Sequence, residues 1–131
     1  MAFISVTRLR VRSPRFLFRF ALFVLGTLIQ ANISAGNRRV RIRKTYGLTF
    51  WTLTVWDDAA SMAAFRGASP HRDSMPHLQH WCDEASVAHW EQESPVVPSW
   101  KYSAEQLQAH GRLSKVSNPS EEQRAGIIVA T

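Results

Sequence analysis

The sequence predicts an α+β protein in the order β-α-β-β-α-β, the ferredoxin-like split arrangement with one antiparallel sheet. Three observations predict it. Side chains alternate in character over residues 2–12, 39–44 and 50–56, and a two-residue period belongs to strands. Ser13-Pro14 and Ser69-Pro70 each read as a helix start, with Ser as N-cap and Pro at the first helical position. Between the second and third strands lies only a short connection, Thr45–Leu48, which contains Gly47.

The first strand sets Phe3, Ser5, Thr7, Leu9 and Val11 on one face and Val6, Arg8, Arg10 and Arg12 on the other, which reads as a solvated, Arg-bearing face. Arg15 to about Ala31 follows as a helix that is apolar around much of its circumference. Gly36-Asn37 is a turn signal, and Val40 and Ile42 then alternate with Arg39, Arg41 and Arg43 in a second strand with one basic face. Basic strand faces of this kind resist edge-to-edge pairing.

The stretch from Phe50 to Trp90 carries four of the five tryptophans. Trp51, Leu53 and Val55 share one face of its first strand, and Phe50, Thr52, Thr54 and Trp56 share the other. Bulk on both faces predicts an interior strand covered on both sides, or one whose second face lines a cavity. Asp57 and Asp58 start a helix that Gly67 ends. After Ser69-Pro70, His71, Met75, Leu78 and Cys82 fall at i, i+4, i+7 and i+11, a single helical stripe that turns His71 inward. Pro76 lies inside this helix, which is expected to end at Asp83-Glu84, with Ala85–Trp90 as the last strand.

Two parts are expected: a ferredoxin-like domain over residues 1–93, and an extended C-terminal tail over 94–131 with one short helix. Ser94-Pro95 and Pro98-Ser99 mark the linker, and Ser103–His110 has the capping-box spacing of Ser103 and Gln106 with Gly111 as stop. A chain of 131 residues can bury a real core. One cysteine excludes an intrachain disulfide and a cysteine-based metal site. The net charge of +6 hides an asymmetry: residues 1–56 hold ten Lys or Arg and no acid, whereas residues 57–131 hold six basic and ten acidic residues. A signal or anchor segment over Phe16–Ile29 is the rival reading of the N-terminus. Arg19 interrupts it, and the clean run Phe20–Ile29 is half the length a span needs.

The element order, with the FWTLTVW strand and the Asp pair after it, then Met62-x-x-Phe65 and Pro70-His71-Arg72 before a further strand, resembles the dimeric α/β-barrel superfamily. Within it, the chain looks like a bacterial monooxygenase-like family, to which the runs Trp81–Val87 and Gly111–Val116 are also similar. A more distant resemblance, through Trp56, Met62, Phe65, His71 and Arg72, is to spheroidene monooxygenase, a haem-containing carotenoid oxygenase. The resemblance implies a homodimer whose protomers pair their sheets, and a cavity between sheet and helices in each. It implies oxidative chemistry on a small apolar substrate, with or without haem. The superfamily also holds isomerases, haem-degrading enzymes and ligand-sensing modules, so fold does not settle reaction.

His71 is the first candidate for that chemistry, since a neutral imidazole ligates haem iron or moves a proton near pH 7. The competing role is a histidine that satisfies the helix start. Arg72 is a candidate cofactor anchor for a propionate or other anion, or else a solvated surface residue. Trp51, Trp56, Phe65 and Met75 are candidates for the substrate pocket, against a packed core. His77, His80 and His89 match no recognised metal-site spacing with His71, so no metal is expected. Cys82 has no cationic activator in the sequence and reads as a buried thiol.

Three functions follow as expectations. The first is a cytoplasmic homodimeric monooxygenase-like enzyme, with His71 catalytic or cofactor-binding. The second is a non-enzymatic binding or interaction module for a small molecule. The third is a peripheral protein held at a membrane surface by the basic half and Phe16–Ile29. Nucleic-acid binding lacks a recognition helix or exposed aromatic platform and is not expected.

Overall fold

In this computed structural model the described residues are 1–68 and 71–131, and the side chains of His71 and Ser74 lie outside that description. The strands are β1 (Ala2–Val11), β2 (Asn37–Lys44), β3 (Thr49–Trp56), β4 (Cys82–Gln92) and β5 (Arg112–Leu113). The helices are α1 (Leu17–Ile33), α2 (Ala59–Arg66), α3 (His71–Trp81), α4 (Trp100–His110) and α5 (Glu121–Arg124), and a single 3-10 turn over Pro14–Phe16 leads into α1. The sheet order is β2-β3-β1-β4-β5 with every neighbouring pair antiparallel, so β3 inserts between β1 and β2 as the ferredoxin-like α+β fold requires.

The alternation of β3 is satisfied on both sides. Trp51, Leu53 and Val55 are buried with Ile4, Val6 and Ala88 on one face. Leu107 of α4 completes that cluster, and Trp100 and Ile128 pack onto it. On the other face, α1, α2 and α3 cover the ends of the sheet through two separate clusters. Phe20 gathers Val11, Leu78, Trp81 and Cys82 at one end, and Trp56 gathers Ala31, Met62 and Phe65 at the other. Gly36 takes φ +84° in the turn before β2, and a Cβ there would sit 2.3 Å from the Ser61 hydroxyl, so both backbone and space call for glycine.

Three expectations about the elements are corrected. Arg8, read as part of a solvated face, is buried at 3% exposure, because β1 lies inside the sheet and α4 and the C-terminal residues cover that face. Asp83 and Glu84, read as the end of α3, lie within β4. There Asp83 takes a bidentate pair from Arg10 at 2.9 and 2.8 Å and Glu84 pairs with Arg8, so ion pairing across strands outweighs the low strand propensity of acids. The N-cap of α4 is Ser99, whose hydroxyl accepts from the Tyr102 N–H, whereas Ser103 is buried and donates its hydroxyl to the Ser99 carbonyl. Residues 94–131 contain α4, β5 and α5, and Trp100, Leu107 and Ile128 among them pack on the sheet.

Candidate functional site

The two clusters on the helical face leave a gap between them. It is a cavity of about 320 Å³ between the sheet and helices α1–α3. Its walls are apolar: Leu9 and Phe50 from the sheet, Phe20, Phe23, Val24 and Leu28 from α1, Phe65 from α2 and Leu78 from α3. The size falls at the lower end of small-molecule pockets.

The floor is polar in a regular way. Ser5 and Thr7 of β1 lie opposite Thr54 and Thr52 of β3, so four hydroxyls line the middle of the sheet. Thr54 Oγ1 donates a long 3.5 Å bond to the Ser5 carbonyl. From the roof, Thr27 brings a buried hydroxyl oxygen that has no partner among the described residues. An unpartnered buried hydroxyl is costly. A ligand or ordered water in the cavity would satisfy it.

His89 is the one described histidine in the lining. Its β4 register sets it opposite Ser5, and its ring tilts against Phe3 at 5.4 Å. Burial pushes the imidazole below its usual pKa range, and the positive charges of Arg112 and Arg66 push it further. His89 is therefore a neutral imidazole near pH 7, able to accept a proton. Arg66, Arg112 and Lys115, with the apolar Ile42 and Met75, are the exposed members of the lining and mark its rim. No Asp or Glu stands among the described lining residues, so the cavity's charge is wholly basic.

Of the residues singled out in the sequence, Phe65 and Met75 line this cavity. Trp56 lies on the same side of the sheet but packs on Phe65 at 5.1 Å, filling one end. Trp51 points to the opposite face, donates its indole N–H to Thr45 Oγ1 at 3.1 Å, and meets Trp100 edge-on at 6.5 Å. Arg72 is exposed and pairs with its neighbour Asp73 at 3.2 Å. His71 begins α3, and its side chain is outside the described residues. His77 stacks on Trp81 at 5.5 Å, and His80 lies edge-on to Phe16 at 5.2 Å. Burial, with a smaller contribution from Asp83, pushes the Cys82 thiol up to about 12.

His89 and the hydroxyl row were not singled out as a site. A signal for them existed. Two core strands each put two hydroxyl residues on one face, and the period of β4 puts His89 in line with Ala85 and Val87.

The described residues fit a haem poorly. The cavity is sized for a small molecule, its one described imidazole is packed on Phe3, and Arg72 turns to solvent.

No family model matches the chain, and no curated protein matches it. Solved structures do. SnoaB, a cofactor-independent oxygenase from Streptomyces nogalater, superposes with TM-score 0.59 at 12% identity over 75% of this chain and 98% of its own. Rv0793 from Mycobacterium tuberculosis superposes with TM-score 0.65 at 9% identity over 72% of this chain and 97% of its own. A conserved protein from Methanosarcina mazei Go1 gives TM-score 0.63 at 14% identity over 71% and 94%. At these identities the likeness is one of fold. The chain has the α+β ferredoxin-like fold found in these structures.

Proposed function

We propose that the protein is a monooxygenase-like enzyme that takes a small apolar molecule bearing one acidic or phenolic group into this cavity, and oxygenates it without a resident cofactor. The observation that carries the reading is the partly open apolar cavity with the neutral His89 imidazole beside a basic rim. In such a reaction His89 accepts a proton from the substrate, and Arg112 stabilises the anion left behind. The electron-rich anion is then oxidised by dioxygen: one oxygen atom enters the substrate, and the other leaves as water with the substrate's own electrons and protons. The Ser5, Thr7, Thr52 and Thr54 hydroxyls orient the polar end. The fold shared with a cofactor-independent oxygenase supports the same reading.

A homodimer belongs to this reading. The apolar sheet face is covered by Trp100 and Leu107 of the same chain. Two sheets can therefore pair only if α4 and the residues after it are exchanged or displaced. Light scattering on the purified chain measures the mass directly.

Oxygen uptake with a panel of hydroxylated naphthalenes and anthracenes tests the activity. Turnover that incorporates labelled oxygen and falls by about 10²-fold or more in His89→Ala is expected, the usual loss for a proton-transfer group. Specific binding with no oxygen uptake for any member would leave a binding module instead.

A further inference from the structure

Helix α1 has two apolar faces, and among the described residues only the inner one is covered. Its inner face roofs the cavity through Phe20, Phe23, Val24 and Leu28. Its outer face carries Phe18 (75% exposed), Leu22 (55%), Leu25 (56%), Ile29 (56%) and Ile33 (80%). These positions repeat at i, i+4, i+7, i+11 and i+15, one continuous stripe about 100° per residue around the helix. Scattered exposed apolar residues need no explanation, but a stripe of five large ones marks a contact surface.

The charges around the stripe select what covers it. Arg15, in the turn before α1, falls in line with the stripe, and Arg19 borders it; both are exposed. No acid occurs in α1 or anywhere in residues 1–56. A second copy packed stripe against stripe would bring the same two arginines and no acid from its own α1. An anionic bilayer supplies both an apolar interior for the leucines and counter-charge for the arginines.

We propose that α1 lies flat in the surface of an anionic membrane, outer stripe down, while its inner face continues to roof the cavity. Residues Pro14–Ile33 are long and apolar enough by composition to cross a bilayer. Crossing would strip Phe20 and Ala31 from the two clusters they complete, whereas lying flat disturbs neither. An apolar ligand dissolved in the bilayer would then reach the protein one helix away from its cavity.

Co-sedimentation of the full chain with vesicles tests this. Binding to phosphatidylcholine vesicles containing phosphatidylglycerol, lost in high salt and weak on pure phosphatidylcholine, is expected. Arg15→Ala with Arg19→Ala should weaken binding roughly 25-fold, at about fivefold for each basic residue near such a surface. Leu22→Ser with Leu25→Ser should abolish it while raising solubility and keeping the circular dichroism of the wild type. Unchanged vesicle binding in both double variants would overturn the proposal. So would a chain that ignores vesicles but forms a dimer that Leu22→Ser with Leu25→Ser dissociates. None of these readouts depends on the oxygenase reading.

Discussion

Arg8 and Glu84 form an ion pair across neighbouring strands, Nη1 to Oε1 2.8 Å, with both side chains almost wholly removed from water. Arg8 Nε also donates to the Thr131 backbone oxygen at 3.0 Å, and Ser120 Oγ donates to the other Glu84 oxygen at 2.7 Å. The pair thus ties β1 and β4 to the C-terminal residues that cover the sheet. Removing Glu84 leaves the Arg8 charge buried without a carboxylate, which costs about 3–5 kcal/mol, whereas removing Arg8 leaves Glu84 still paired with Arg10 Nη2 at 3.3 Å. Glu84→Leu should lower stability by about that amount in urea unfolding, and Arg8→Met by less, because Arg10 still compensates Glu84. The combined variant should recover most of it, because an apolar pair of similar volume carries no desolvation penalty.

Helix α4 is a structural cap on the apolar sheet face. Leu107 is fully buried in the cluster of Ile4, Val6, Trp51 and Leu53. Leu107→Ala should cost about 2–5 kcal/mol by the usual range for a large-to-small core change. A variant that unfolds at the wild-type urea concentration would show that α4 does not cover this face in solution.

His89 gives stability a pH dependence of known sign. Burial and the two nearby arginines lower its folded pKa below the unfolded value, so the unfolded chain binds more protons in the window between them. The His89 contribution leaves stability undiminished above the unfolded histidine pKa and erodes it as pH falls through that range. His89→Gln should flatten this part of the profile in a series of melts between neutral and mildly acidic pH. Turnover should follow the same residue, persisting below the pH at which a solvent histidine protonates.

Cys82 should be inert while the protein is folded. With its thiol pushed up to about 12, almost no thiolate exists at pH 8. Labelling with iodoacetamide should be slow in native buffer and rapid in urea. Fast native labelling would mean that the Val11–Cys82 end of the sheet opens readily.

Much of the fold was legible because it rests on local signals. The alternation in β1 and β3, the Ser13-Pro14 start and the Asp58 cap are written within a few residues. Asp58 does accept the Ser61 N–H, as a helix-starting acid should. What was not legible depends on partners distant in sequence. Arg8 reads as a surface residue until Glu84, Ser120 and Thr131 are brought to it. Trp51 and Trp56 stand five residues apart, and odd spacing puts them on opposite faces. Only the packing reveals that Trp51 serves the α4 face and Trp56 plugs one end of the cavity side. His89 stood among candidate metal ligands because its meaning comes from the cavity it faces, not from its spacing to other histidines.

The most direct test of the cavity reading is a heteronuclear NMR titration with 1-hydroxy-2-naphthoate, a two-ring apolar probe with one carboxylate and one phenol. Saturable shifts are expected at the amides of Thr52–Thr54 and Val87–His89, abolished by Thr27→Trp, which fills the space from the roof. Shifts confined to α4 or to the outer stripe of α1, with β3 and β4 unmoved, would contradict the cavity reading.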